Sequence, residues 1–159
     1  MTDYIALGVF LVLTSSAAVT GGFFTPGPWY FQLNKPSWTP PGWAFPVVWT
    51  ILYIMIALAG WRVWQAQGTG LVVAVWLVQM VFNAMWSWIM FGRKQIGWAL
   101  LDAAGMWISI AVFIAAAWPV SQTAALLFMP YLVWVTIAFV LNLRIYQMNP
   151  AAGESRQPA

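Results

Sequence analysis

Gln79, Asn83 and Ser87 recur at i, i+4 and i+8 inside the apolar run QMVFNAMWSW. At that spacing they share one face of a helix, with Trp86 beside it. A second run carries Trp98, Asp102, Gly105 and Ser109 at i, i+4, i+7 and i+11. A third pairs Trp49 with Tyr53, and a fourth places Tyr131, Val135, Ala138 and Asn142 on one face with Trp134 adjacent. Amides, hydroxyls and indoles of this kind stack and hydrogen-bond. One reading is that they only join helices, through hydrogen bonds worth under about 2 kcal/mol each. For Gln79 and Ser87 that reading and a ligand role stand level. Asn83 beside Trp86, and Trp134, suit a bound molecule better.

The chemistry of bond cleavage is poorly represented. The chain has no histidine and no cysteine, so it lacks the commonest general base, thiol nucleophile and metal or haem ligands. Its carboxylates are Asp3 near the start, Asp102, and Glu154 in the tail, which form no catalytic pair. No HExxH or Walker pattern occurs. The inventory predicts no conventional enzyme, no metal and no obligatory cofactor. What is abundant is aromatic surface, with 13 tryptophans. Indole combines a large flat face with one N–H donor. That suits a flat, hydrophobic, partly polar ligand, a porphyrin first and a steroid ring system second.

These residues must be positioned by helices in lipid. Of 159 residues, 63% are hydrophobic and only 6% charged, with mean hydropathy +0.80. A soluble domain carries far more charge. Five runs, at about 5–24, 44–64, 71–91, 97–118 and 123–143, approach the roughly 20 residues that cross a hydrocarbon core as helix. The fold class predicted is all-α, an integral membrane bundle of five transmembrane helices. One domain is expected over 1–147, followed by a polar tail at 148–159. The first run lacks a basic n-region and exceeds a signal h-region, so it reads as a retained helix. The net charge of +3 comes from scattered residues with no basic run, which argues against nucleic acid as a partner.

Short connectors after the second, third and fourth runs force antiparallel neighbours. Lys35, Arg93, Lys94, Arg144 and Arg156 then share one side, against Arg62 near the other. The positive-inside rule predicts N-out, C-in in a bacterial cell membrane. Asp102 sits about five residues inside its run. A carboxylate at a helix centre costs ~2.5–3.5 kcal/mol. With Arg93, Lys94 and Arg144 on its side, the expectation is a structural ion pair. A proton relay would need partners that the chain lacks.

The first connector is unusual. From Trp29 to Trp49 it reads WYFQLNKPSWTPPGWAFPVVW, with four tryptophans, four prolines and one charge. Thr39 is placed to N-cap a turn beginning at Pro40. Pro46 predicts an irregular or kinked start to the second helix. Prolines stiffen the free loop, so it can hold Trp29, Tyr30, Trp38 and Trp43 over the helix ends. It can serve as an interfacial aromatic belt or as a lid over a cavity.

The segments WYFQLNKPSWTPPGW, WTILY, QMVFNAMWSWIMFG, GWALLD and PYLVWVT occur in this order. Together they resemble the TspO/translocator protein family, from about residue 20 to 145. The resemblance implies a five-helix bundle, usually a homodimer, whose cavity is closed by the first loop. That favours the lid. It also implies binding of porphyrins and, in some members, of cholesterol. Carried over by motif, the ligand site comprises Trp38, Trp49, Tyr53, Asn83, Trp86, Trp134 and Ala138. One feature departs from the family: the sterol pattern ending L/V-x-Y-x-K/R fails, because Tyr146 has no Lys or Arg within five residues after it. The expected function is a porphyrin-binding membrane sensor or carrier. Light- and oxygen-dependent porphyrin breakdown at the same site is one alternative, and sterol or lipid translocation another. Expected partners are the lipid bilayer, a flat hydrophobic small molecule and a second copy of the chain. Small residues spaced by four, at Ala17, Ala18, Gly21 and Gly22 and at Gly70 and Ala74, offer faces for that copy.

Overall fold

The computed structural model describes residues 2–150. It contains α1 (Thr2–Phe23), the short α2 (Pro28–Gln32), α3 (Ala44–Gln67), α4 (Leu71–Ser87), α5 (Ile96–Ala117) and α6 (Gln122–Met148). One π-helical turn, Trp88–Gly92, continues α4. Among the described residues there is no strand, and five helices are long and apolar enough to cross a membrane. The chain is thus an all-α bundle of membrane-spanning helices. α6 runs to Met148, beyond the apolar run ending near 143. Hydropathy marks where a helix leaves lipid, not where its hydrogen bonding stops. Arg156 lies outside the described residues.

Apolar residues are found on both sides of each helix. Val78, Val81, Ile108, Val112 and Val133 are exposed on the outer surface, as a lipid solvent allows. The larger core joins Phe10, Ile56, Trp76, Phe113, Phe128 and Tyr131. A smaller one, under the first loop, joins Leu33, Ile89, Met90, Ile96, Ala99, Leu141 and Ile145. Trp86 packs against both. Two glycines permit the closest approaches. A Cβ on Gly60 would lie 2.7 Å from the Phe10 ring and 2.8 Å from Trp76. One on Gly105 would lie 2.7 Å from Phe82. The small stripe of α1 is used inside the protomer: Ala17 is buried, Gly21 faces Ser87, and Thr20 Oγ1 donates to the Ala84 carbonyl at 3.1 Å.

The first loop is folded and anchored. Lys35 Nζ donates to the carbonyls of Tyr30 and Leu33, both at 2.8 Å, and lies 4.9 Å from the centre of the Tyr30 ring. Burial pushes the Tyr30 hydroxyl above its ordinary range. Leu33 inserts into the smaller core. Next to it, the Asn34 N–H donates to Asn149 Oδ1 and Asn149 Nδ2 donates to the Asn34 carbonyl, each at 2.9 Å. This pair of bonds clasps the loop to the end of α6.

Several expectations are corrected here. Thr39 does not cap a helix at Pro40; its hydroxyl donates back to the Pro36 carbonyl at 2.6 Å. α3 starts only at Ala44, which makes Pro46 its third residue. A missing N–H there breaks no intrahelical bond, so no irregular start is needed. Trp98 leaves its expected inner stripe and is 64% exposed. Asp102 is buried, yet no described cation closes an ion pair with it and its Oδ2 has no partner. Two of the three cations expected beside it are engaged elsewhere. Arg93 lies 5.5 Å from the Trp88 ring centre, and Arg144 donates to Gln147 Oε1 at 3.1 Å.

Candidate functional site

A chain of hydrogen bonds crosses the middle of the bundle. Tyr53 Oη on α3 donates to Asn83 Oδ1 on α4 at 2.9 Å. Asn83 Nδ2 donates to Tyr131 Oη on α6, also at 2.9 Å. The Tyr131 hydroxyl donates to Gln79 Oε1 at 3.1 Å, and Gln79 Nε2 to the Trp76 carbonyl at 2.9 Å. The four-residue spacing of Gln79 and Asn83 puts both on the inner face of α4, where Tyr131 meets each of them. At membrane depth no water competes, so each bond also removes the cost of an unpaired polar group.

Aromatic rings stand around this chain. Trp49, one turn before Tyr53, stacks on it at 5.3 Å and meets Tyr131 edge-on at 6.0 Å. Trp134, on α6, meets Phe45 edge-on at 5.6 Å. Its Nε1 is buried and has no hydrogen-bond partner. Trp86 meets Phe91 edge-on at 5.5 Å, and Phe91 meets Tyr30 at 5.4 Å. The π-helical turn carries Phe91, so this turn links the inner wall to the first loop. Ala138 is half-buried and lies one turn beyond Trp134 on α6.

The seven residues expected at the site are therefore not all brought together. Trp49, Tyr53 and Asn83 meet through Tyr131. Trp86 and Trp134 contribute rings of separate pairs, and Ala138 shares the helix face of Trp134. Trp38 stands apart on the loop, 48% exposed. Phe45 and Phe91 escaped the sequence reading, since each is one apolar residue in an apolar run. A recess of about 290 Å³ opens between α3 and α6 on the outer side, lined only by apolar residues including Ile51, Met55, Pro130, Val133 and Trp134. Trp134 thus borders both this recess and the interior. Chemically, the arrangement offers flat faces, a few amide and hydroxyl groups and no acid–base pair. Its chemistry is that of stacking and a few hydrogen bonds.

Comparison with known proteins places this geometry in context. The family model described as TspO/MBR family matches residues 9–148. The chain is 38% identical to the tryptophan-rich sensory protein of Cereibacter sphaeroides over 154 residues, covering 97% of this chain and 98% of that one. It is 37% identical to Protein CrtK of Rhodobacter capsulatus, with 89% and 91% covered. It is 33% identical to the translocator protein of Bos taurus, with 93% and 92% covered.

Proposed function

The chain belongs to the TspO/MBR family, and from that premise we propose that it is a membrane receptor, sensor or carrier for porphyrins such as protoporphyrin IX or haem. The observation that carries this reading is the ring set of Trp49, Tyr53, Tyr131, Trp86 and Trp134 around the α3–α4–α6 interior, under a loop clasped to α6. Trp134 brings an N–H that no group among the described residues satisfies. Base–aromatic stacking of this kind is worth roughly 1–3 kcal/mol per surface. Trp38 closes over the ligand when the loop settles on it, and Ala138 leaves room beside Trp134. Sensing and translocation, the activities in the relatives' names, both begin with such binding.

The test is a titration of protoporphyrin IX into purified protein, first in the dark and then under illumination. Saturable quenching of tryptophan fluorescence in the dark, with the porphyrin recovered unchanged, is the expected result. A new absorbing product that forms only in light, and is lost when the tryptophans are replaced, would favour photo-oxidative breakdown. Absence of saturable quenching would refute the reading.

The orientation proposed is N-out, C-in, from the charge asymmetry. For the second copy we propose the face of α4 that carries Ala74, Val78, Val81 and Met85, all exposed. A cysteine introduced at position 74 of this cysteine-free chain should cross-link to a dimer in membranes. Monomer alone under several oxidants would exclude that face.

A further inference from the structure

Among the described residues, three side-chain polar atoms are buried without a hydrogen-bond partner: Asp102 Oδ2, Trp134 Nε1 and Asn142 Oδ1. They do not scatter. Asn142 Nδ2 donates to the Ile96 carbonyl at 3.4 Å, which sets the register of antiparallel α5 and α6. At ~1.5 Å per residue, Asp102 lies about 9 Å along α5 from that point. Ala138 and Trp134 lie about 6 and 12 Å along α6 from it. Asp102 is therefore level with the stretch between Ala138 and Trp134. Gly105 abuts Phe82 of α4, so Asp102 is level with Met85, the neighbour of Trp86, on that antiparallel helix. Asp102 also lies within electrostatic range of Tyr131. The unpaired atoms thus lie within about 12 Å of one another in height along α5 and α6, at the level of the aromatic rings.

Each buried polar atom without a partner destabilises the fold, because its hydrogen bond to water is lost and not replaced. An intramembrane carboxyl group at 7% exposure, with no counter-ion among the described residues, is the most expensive of them. An apolar residue would be more stable at position 102, so the carboxyl group serves something other than folding. We propose that Asp102 is a specificity-determining residue of the binding site, its free oxygen kept for a hydrogen-bond donor on the bound molecule, with Asn142 as a second acceptor and Trp134 as the donor for an acceptor group. This assignment rests on the porphyrin reading above and deepens it. The ligand class is a flat apolar molecule that turns an N–H of its face or an O–H of its end towards Asp102. An ionised carboxylate at that end would be repelled by Asp102.

The test compares wild type with Asp102→Leu and Asp102→Asn, reading both thermal stability and protoporphyrin IX affinity. A purely structural carboxyl group predicts that Asp102→Leu lowers the melting temperature. Our assignment predicts that it raises the melting temperature and weakens binding by about 5- to 150-fold. Asp102→Asn, which keeps an acceptor oxygen, should stay within roughly threefold of wild type on the same scale. Zinc protoporphyrin lacks the pyrrole N–H and the dimethyl ester lacks the carboxyl O–H, so the probe with which the Asp102→Leu effect disappears identifies the donor. Destabilisation by Asp102→Leu, unchanged affinity, or an undiminished effect with both probes would overturn the assignment. No binding by the wild-type chain would refute the porphyrin reading itself, whereas equal binding by wild type and Asp102→Leu refutes only the role of Asp102.

Discussion

Two polar regions lie at membrane depth in this bundle, and they are finished differently. Between α3, α4 and α6, Tyr53, Asn83, Tyr131 and Gln79 satisfy one another in sequence. Along α5 and α6, Asp102, Asn142 and Trp134 leave an oxygen, an oxygen and an N–H unpaired. Both regions are made of the residue types that single out a functional site in a membrane helix. Only the second has capacity left for a guest. The first holds three helices in register and presents its rings to the interior. The second bears the energetic cost of unpaired groups, which is the usual sign of a site shaped for something other than stability.

From that contrast, substitutions in the first region should cost far more stability than substitutions in the second. The largest effect is expected at Tyr131, which is fully buried against Phe128 and Trp49. Tyr131→Ala removes a ring and two hydrogen bonds and should cost about 3–5 kcal/mol, as a loss of thermal stability in detergent. Tyr131→Phe isolates the hydroxyl and should cost ~1–3 kcal/mol, because Asn83 and Gln79 each lose a partner. Asn142→Leu, in the open region, should change stability by less than ~1 kcal/mol, since it gives up one weak bond to Ile96 and relieves an unpaired oxygen. A loss as large as that of Tyr131→Phe would erase the distinction between the regions. The smallest global effect is expected at the clasp. Asn149→Ala removes its hydrogen bonds to Asn34 and should cost about 0.5–1.5 kcal/mol locally. Faster hydrogen exchange at the Asn34 amide, with the α4 amides unchanged, would show it.

Much of this was legible in the sequence. The thickness of a bilayer demands long apolar runs, so the five spans stand out whatever their packing. Helical spacing also brought Gln79 and Asn83 to one face, where Tyr131 bonds both. The limits are equally physical. Trp98 fits the stripe of Asp102 by spacing but faces outward, because lipid accepts indole as readily as the core does. The ion pair expected for Asp102 does not form, because a shared side of the membrane does not fix which way a long side chain turns: Arg93 lies over Trp88 and Arg144 donates to Gln147. The π-helical turn at Trp88–Gly92 and the clasp between Asn34 and Asn149 depend on contacts across the bundle, which leave no local pattern to read.

The central claim is that a flat ligand stacks in the interior beside Trp134 and not on tryptophans in general. Its most direct test is the dissociation constant of protoporphyrin IX for wild type, Trp134→Ala and Trp118→Ala, each shown to be folded. Trp118 is 46% exposed at the far end of α5 and serves as the control. Trp134→Ala should weaken binding by roughly 5- to 150-fold, the equivalent of one lost stacking surface. Trp134→Phe should weaken it less, and Trp118→Ala should leave it unchanged. Equal weakening by Trp118→Ala and Trp134→Ala would contradict the account, because the tryptophans would then act as a general apolar belt.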